Sequence, residues 1–157
     1  MLPMLQVLSV LLIGLSIAPA IKLPVKKSLS LEAIKVMVAA AEAEAAKRNV
    51  QVTICVVDDS GNLLFLEKAD GAPLNTIDFA QKKARHAAFY RSPSKSGADA
   101  VKNGNLAVLD FPQYFPNQGG LPIKVDGETI GGIAASGAKS EVDEAIAQVG
   151  LDALLKQ

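Results

Sequence analysis

Two turn signatures, each set between β-rich runs, constrain this chain more than any other feature. Asp59-Ser60-Gly61-Asn62 separates Val50–Asp58 from Leu63–Lys68, and Asp126-Gly127 separates Leu121–Val125 from Glu128–Ala135. Asp-Gly supplies both left-handed residues of a type I′ turn, whose twist matches that of paired antiparallel strands. Each turn therefore joins sheet neighbours as a hairpin. In the first strand Val50, Val52, Ile54 and Val56 alternate with Gln51, Thr53 and Cys55, the period of an extended chain. Gly131 and Gly132 within the last strand predict a bulge or a close backbone approach.

The remaining periodic segments have helical spacing. From Leu31 to Arg48, the residues Leu31, Ile34, Val38, Ala41 and Ala45 recur at three and four, with Ser28 or Ser30 as the N-cap. A second helix follows Asn75 or Thr76, carries Asp78 in its first turn, and runs to about Tyr90, with Pro93 beyond it. Ser94 to Lys102 adds a short helix. Asp110 to Gln118, with two prolines and three aromatics, has no period and reads as an ordered loop. Ser140 with Asp143 resembles a capping box opening a last helix. Hairpin-linked strands with helices packed on them make an α+β fold with an antiparallel sheet.

Lys plus Arg equals Asp plus Glu at sixteen each, so no summed charge draws the chain to nucleic acid or an anionic membrane. The uncharged run Leu5–Ile17, about thirteen residues, falls short of the roughly 20 needed to span a bilayer. Ala18-Pro19-Ala20 follows it with the small residues that a signal peptidase reads. The expectation is a signal peptide over 1–20, a tether over 21–28 and one domain over 29–157, exported to a periplasm or secreted. Cys55 is the single cysteine and reads as a packed small residue. One His and one Cys cannot build a structural zinc site, and neither a Gly-x-Ser-x-Gly nor a phosphate-loop motif occurs. Asp58, Asp59 and Asp70 read as turn chemistry, and no residue is singled out as catalytic.

The second helix carries the most informative pattern. At roughly 100° per residue, Ile77, Ala80, Ala84, Ala87 and Ala88 gather on one side, which faces the core. Phe79, Lys83, His86 and Tyr90 form a second stripe about 120° away by the same rotation. Aromatics on a polar flank need a cover: a subunit interface, a loop such as Phe111-Tyr114-Phe115, or a flat apolar ligand with His86 as polar handle. Neutral imidazole is a strong iron ligand, and haem sites add apolar walls and a cation near the propionates, for which Lys83 and Arg85 are close in sequence.

Several blocks in order resemble one family. They are Val56-Val57-Asp58 with Gly61-Asn62-Leu63, Asp70-Gly71-Ala72, Lys83-Ala84-Arg85-His86-Ala87-Ala88, Gly119-Gly120-Leu121-Pro122-Ile123, and Asp126-Gly127 with Gly131-Gly132-Ile133 and Ser136-Gly137-Ala138. Together they are similar to the GlcG/HbpS-like haem-binding or haem-degrading domain, also found at the C-terminus of PduO-type cobalamin adenosyltransferases. The resemblance implies a profilin-like α+β fold, an antiparallel sheet of about five strands with helices packed on it, and a homo-oligomer. It also implies haem as the cofactor, with degradation, storage or sensing as roles. Lys68 stands where the family often has Arg, and His86 where Thr is common. The latter makes a direct nitrogen–iron bond available, with Phe79 and Tyr90 walling the ring. The other reading is a non-catalytic oligomeric module that binds a small organic ligand or a corrinoid.

Overall fold

The computed structural model describes residues 21–156. The expected signal peptide at 1–20 lies outside the described residues. Helices α1 (Leu31–Lys47), α2 (Thr76–Tyr90), α3 (Ser94–Lys102) and α4 (Ser140–Leu155) accompany strands β1 (Thr53–Asp58), β2 (Leu63–Lys68), β3 (Gly120–Val125) and β4 (Glu128–Ser136). A short 3-10 turn, Leu106–Asp110, precedes the irregular segment. The strands form one antiparallel sheet in the order β2-β1-β4-β3. Four strands among the described residues replace the expected five or so; the chain between α2 and β3 takes the helix and loop expected of it, and no further strand edges the sheet among the described residues.

Both hairpins form at the expected residues, for the expected reasons. Asp126 and Gly127 sit at φ 51° and 81°, the left-handed pair of a type I′ turn. In the β1–β2 turn the Asp58 carboxylate accepts from the Ser60 and Asn62 amides at 2.9 and 2.8 Å, closing an Asx turn over Gly61. The first strand starts later than its alternation implies, at Thr53.

Both faces of the sheet are covered, so the alternation in β1 does not divide core from solvent. Ile54 and Val56 join Ile133, Ala135 and Ile123 in the larger core with α1 and α4, including Ile34, Met37, Ala41 and Ile146. Cys55, Val57 and Ala134 face the other way, onto Ala80, Ala84 and Ala88 of α2. Thr53, expected on the polar side, is fully buried, its hydroxyl 2.7 Å from that of Thr76. Cys55 is buried, and burial pushes its thiol up to about 12, so it is an inert packing residue.

Alanines and glycines let α2 lie close on the sheet. A Cβ at Gly132 would lie 2.3 Å from the Ala84 carbonyl oxygen, so β4 needs hydrogen there for the helix to seat, the close approach predicted from the Gly-Gly pair. Two positions placed on core stripes are exposed instead: Leu31 and Ile77, each in the first turn of its helix. Ser30 is the N-cap of α1, its hydroxyl accepting from the Ala33 amide at 3.1 Å. The capping box at α4 does not form. Lys139 occupies the N-cap, and the Asp143 carboxylate instead accepts from the Ala138 amide and turns inward.

Candidate functional site

Helix α2 places five side chains of interest in three directions. Phe79, His86 and Tyr90 face the segment 111–118, which lies over them. Phe79 meets Phe115 edge-on at 5.3 Å between ring centroids. His86 lies 5.0 Å from Tyr90 and 4.7 Å from Tyr114, and Tyr90 and Tyr114 are 5.2 Å apart. Of the covers open to the aromatic stripe, the chain's own loop supplies one. These contacts therefore make no demand for a second subunit.

The loop is pinned by directed bonds as well as by aromatic area. The Tyr90 hydroxyl donates to the Pro112 carbonyl at 2.6 Å, and the Phe115 amide donates to His86 Nδ1 at 3.0 Å. Buried Ser94 donates to the Asn117 carbonyl at 2.6 Å and accepts from the Gly120 amide at 2.9 Å, fixing the loop's exit into β3. Ser94 carried no signal in the sequence, since its partners lie more than twenty residues away.

His86 is 1% exposed, and burial lowers its pKa to about 4, so the ring is neutral at physiological pH. A backbone amide can only donate, so Nδ1 is the acceptor and the ring proton sits on Nε2. In this closed arrangement neither ring nitrogen has a lone pair to offer a metal. Gly97 of α3 closes the remaining side; a Cβ there would lie 2.8 Å from His86 Cε1.

Lys83 departs furthest from expectation. Placed on the polar flank by its spacing, it is 2% exposed and forms an ion pair with Asp143 of α4, itself 2% exposed, at 2.8 Å. Its ammonium also donates to the Ala135 carbonyl at 3.2 Å and to the Ser136 hydroxyl at 3.4 Å, which uses all three protons. Burial raises the Asp143 carboxyl above its ordinary value even with the Lys83 ammonium beside it. The pair ties α2 to α4 across the end of β4, and Lys83 has no charge to spare for a ligand.

Arg85 turns to the opposite side, toward the β1–β2 turn. Its Nε donates to the Gly61 carbonyl at 3.0 Å, and it lines a cleft of about 250 Å³ with Ser60, Asn62, Phe89 and Gln113. A second cleft of about 230 Å³ lies over Lys83 and Asp143, with Asn75, Thr76 and Ser140 at its rim. Both are smaller than the roughly 300–1,000 Å³ of pockets that enclose drug-sized ligands.

Fold and site together define a three-layer α+β domain in which one helix, pressed onto an antiparallel sheet by alanines, carries an aromatic flank capped by an ordered loop. Its relatives place it further. The family described as "Haem degrading protein HbpS-like" matches residues 29–152, and the chain belongs to that family. Protein GlcG of Escherichia coli K12 is 37% identical over 111 residues, covering 71% of this chain and 83% of the relative. A double mutant of Streptomyces reticuli HbpS superposes with a TM-score of 0.77 at 30% identity, covering 86% of this chain and 95% of that one. A crystal structure described as a PduOC:heme complex gives a TM-score of 0.75 at 27% identity, covering 81% and 95%.

The residues suit haem in part. Phe79 and Tyr90 offer an aromatic flank, but Arg85, a cation without a carboxylate partner among the described residues, is turned away from it toward the β1–β2 turn. Lys83 does not suit the role expected of it, and His86 suits it only with the Phe115 amide released.

Proposed function

We propose that this chain is an exported haem-binding protein that takes haem against the aromatic flank of α2. What carries the reading is membership of the HbpS-like family together with the likeness to a haem complex over 81% of this chain. Within the chain, the segment 111–118 supports it. That segment has no regular secondary structure, and four directed bonds and a few ring contacts hold it in place over His86. Releasing the Phe115 amide frees Nδ1, allows the ring to change tautomer, and turns a buried structural imidazole into a nitrogen ligand. Phe79 and Tyr90 would then wall the ligand. Bound haem would supply an iron centre for redox chemistry or for sensing haem itself.

Export rests on the apolar run before Ala18-Pro19-Ala20, and no helix among the described residues is long and apolar enough to cross a membrane. A homo-oligomer fits the exposed apolar side chains Leu106, Leu109 and Phe111, which stand open on the single chain. Haem titration tests the central reading. A Soret band at stoichiometric haem, with a spectrum altered in His86→Ala, is expected; no band with the wild type rejects haem binding. Haem that persists with reductant and oxygen assigns binding without breakdown.

A further inference from the structure

Arg85 is a half-buried arginine whose charge the fold leaves unanswered. Among the described residues no carboxylate lies within ion-pair distance of it, whereas Arg48 is paired with Glu44 at 2.6 Å and the buried Lys83 with Asp143. The turn facing Arg85 contains two aspartates, and both are committed elsewhere. Asp58 accepts from the Ser60 and Asn62 amides and from the Asn62 side chain, and Asp59 pairs with Lys26 at 2.5 Å.

The guanidinium is nevertheless oriented. Nε donates to the Gly61 carbonyl, and the Cγ methylene packs where a Gly61 Cβ would otherwise point, at 3.4 Å. A staple to the turn needs Nε alone. Both Nη groups remain, coplanar with Nε and without an acceptor among the described residues. One turn further along α2, Phe89 lines the same cleft and is 49% exposed, an aromatic face beside a pre-oriented guanidinium. Gln113, held at φ 60°, and Asn62 supply amides to the cleft wall.

We infer that the Arg85–Phe89 cleft binds a small carboxylate bearing a flat apolar ring: the two Nη groups take the carboxylate and Phe89 the ring. A planar guanidinium fork matches two carboxylate oxygens, which a lysine ammonium does not reproduce. A volume of about 250 Å³ suits a single-ring acid. The site requires no iron, so it stands apart from the haem reading, and each can fail without the other.

Titration of haem-free protein with benzoate, acetate and benzyl alcohol, followed by the backbone and Arg Nε–H resonances, tests it. Benzoate should saturate at millimolar concentration, the range for a ligand of about nine heavy atoms, and bind about tenfold tighter than acetate or benzyl alcohol. Arg85→Lys, which keeps a donor for the Gly61 carbonyl, should weaken benzoate about tenfold, and Phe89→Ala, at a half-exposed position, should reduce it to the level of acetate. Equal affinity for the three probes, unchanged benzoate binding in Arg85→Lys, or no saturation by about 20 mM would each overturn the assignment.

Discussion

Acidification should unlatch the aromatic loop through His86, and the size of the effect follows from where the imidazole sits. In the unfolded chain the ring titrates near 6.5, whereas in the fold burial holds it near 4. Tyr90, Tyr114, Gly97 and the Phe115 amide surround it, so no carboxylate among these neighbours would receive an imidazolium charge. Because the folded value is depressed, the full contribution to stability is present above pH 6.5. It is lost as pH falls through the window from 6.5 to 4, with one extra proton taken up on unfolding. At about 1.4 kcal/mol per pH unit, the loss amounts to about 3 kcal/mol, a large part of the roughly 5–15 kcal/mol that holds a domain together. Urea unfolding of wild type and His86→Gln between pH 7.5 and 4 measures it. Glutamine can still accept from the Phe115 amide but does not titrate, and the opposite contribution of Asp143, whose pKa is raised, cancels between the two proteins. The chain has no Trp, and both its tyrosines, Tyr90 and Tyr114, lie in this cluster, so tyrosine fluorescence reports the loop directly. The wild type should lose about 3 kcal/mol relative to the variant on going to pH 4. A stability gap that does not change with pH would refute the reasoning.

The ion pair between α2 and α4 predicts asymmetric mutant effects. Lys83→Met should cost about 3–5 kcal/mol in denaturant unfolding, because it leaves the buried Asp143 carboxylate unpaired, while the double variant Lys83→Met/Asp143→Leu should recover much of that loss. Gly132→Ala should cost about 1–3 kcal/mol, since its Cβ would lie 2.3 Å from the Ala84 carbonyl and must lift α2 from β4. Wild-type stability in that variant would mean that the helix can shift freely. N-terminal sequencing of exported protein should begin at Ile21, and intact Met1 in a membrane fraction would favour an anchor.

Short-range chemistry made much of this fold legible. The Asp126-Gly127 turn, the Asx turn at Asp58, the Ser30 cap and the alanine side of α2 depend on residues within a few positions of one another, and each formed as expected. The packed state of Cys55 and the close approach at Gly132 were legible too, because an apolar strand and a paired glycine admit few other uses. The grouping of Phe79, His86 and Tyr90 also held, since helical rotation alone puts them on one flank.

What packs against that flank is a different kind of fact. Helical spacing says which side chains share a side, but it carries no information about the surface brought to meet them. His86 finds its donor 29 residues away and Lys83 its counter-ion 60 residues away. Thr53 is buried rather than exposed because helices cover both faces of the sheet, and Asp143 leaves its capping role because a buried ammonium lies within reach. The sequence by itself determined the hairpins, the helices and the family. Only tertiary closure decided that Lys83 is neutralised inside, that His86 is locked under its own loop and that Arg85 is left without an ion-pair partner among the described residues, because an ion pair or hydrogen bond depends on separation in space and not on position along the chain.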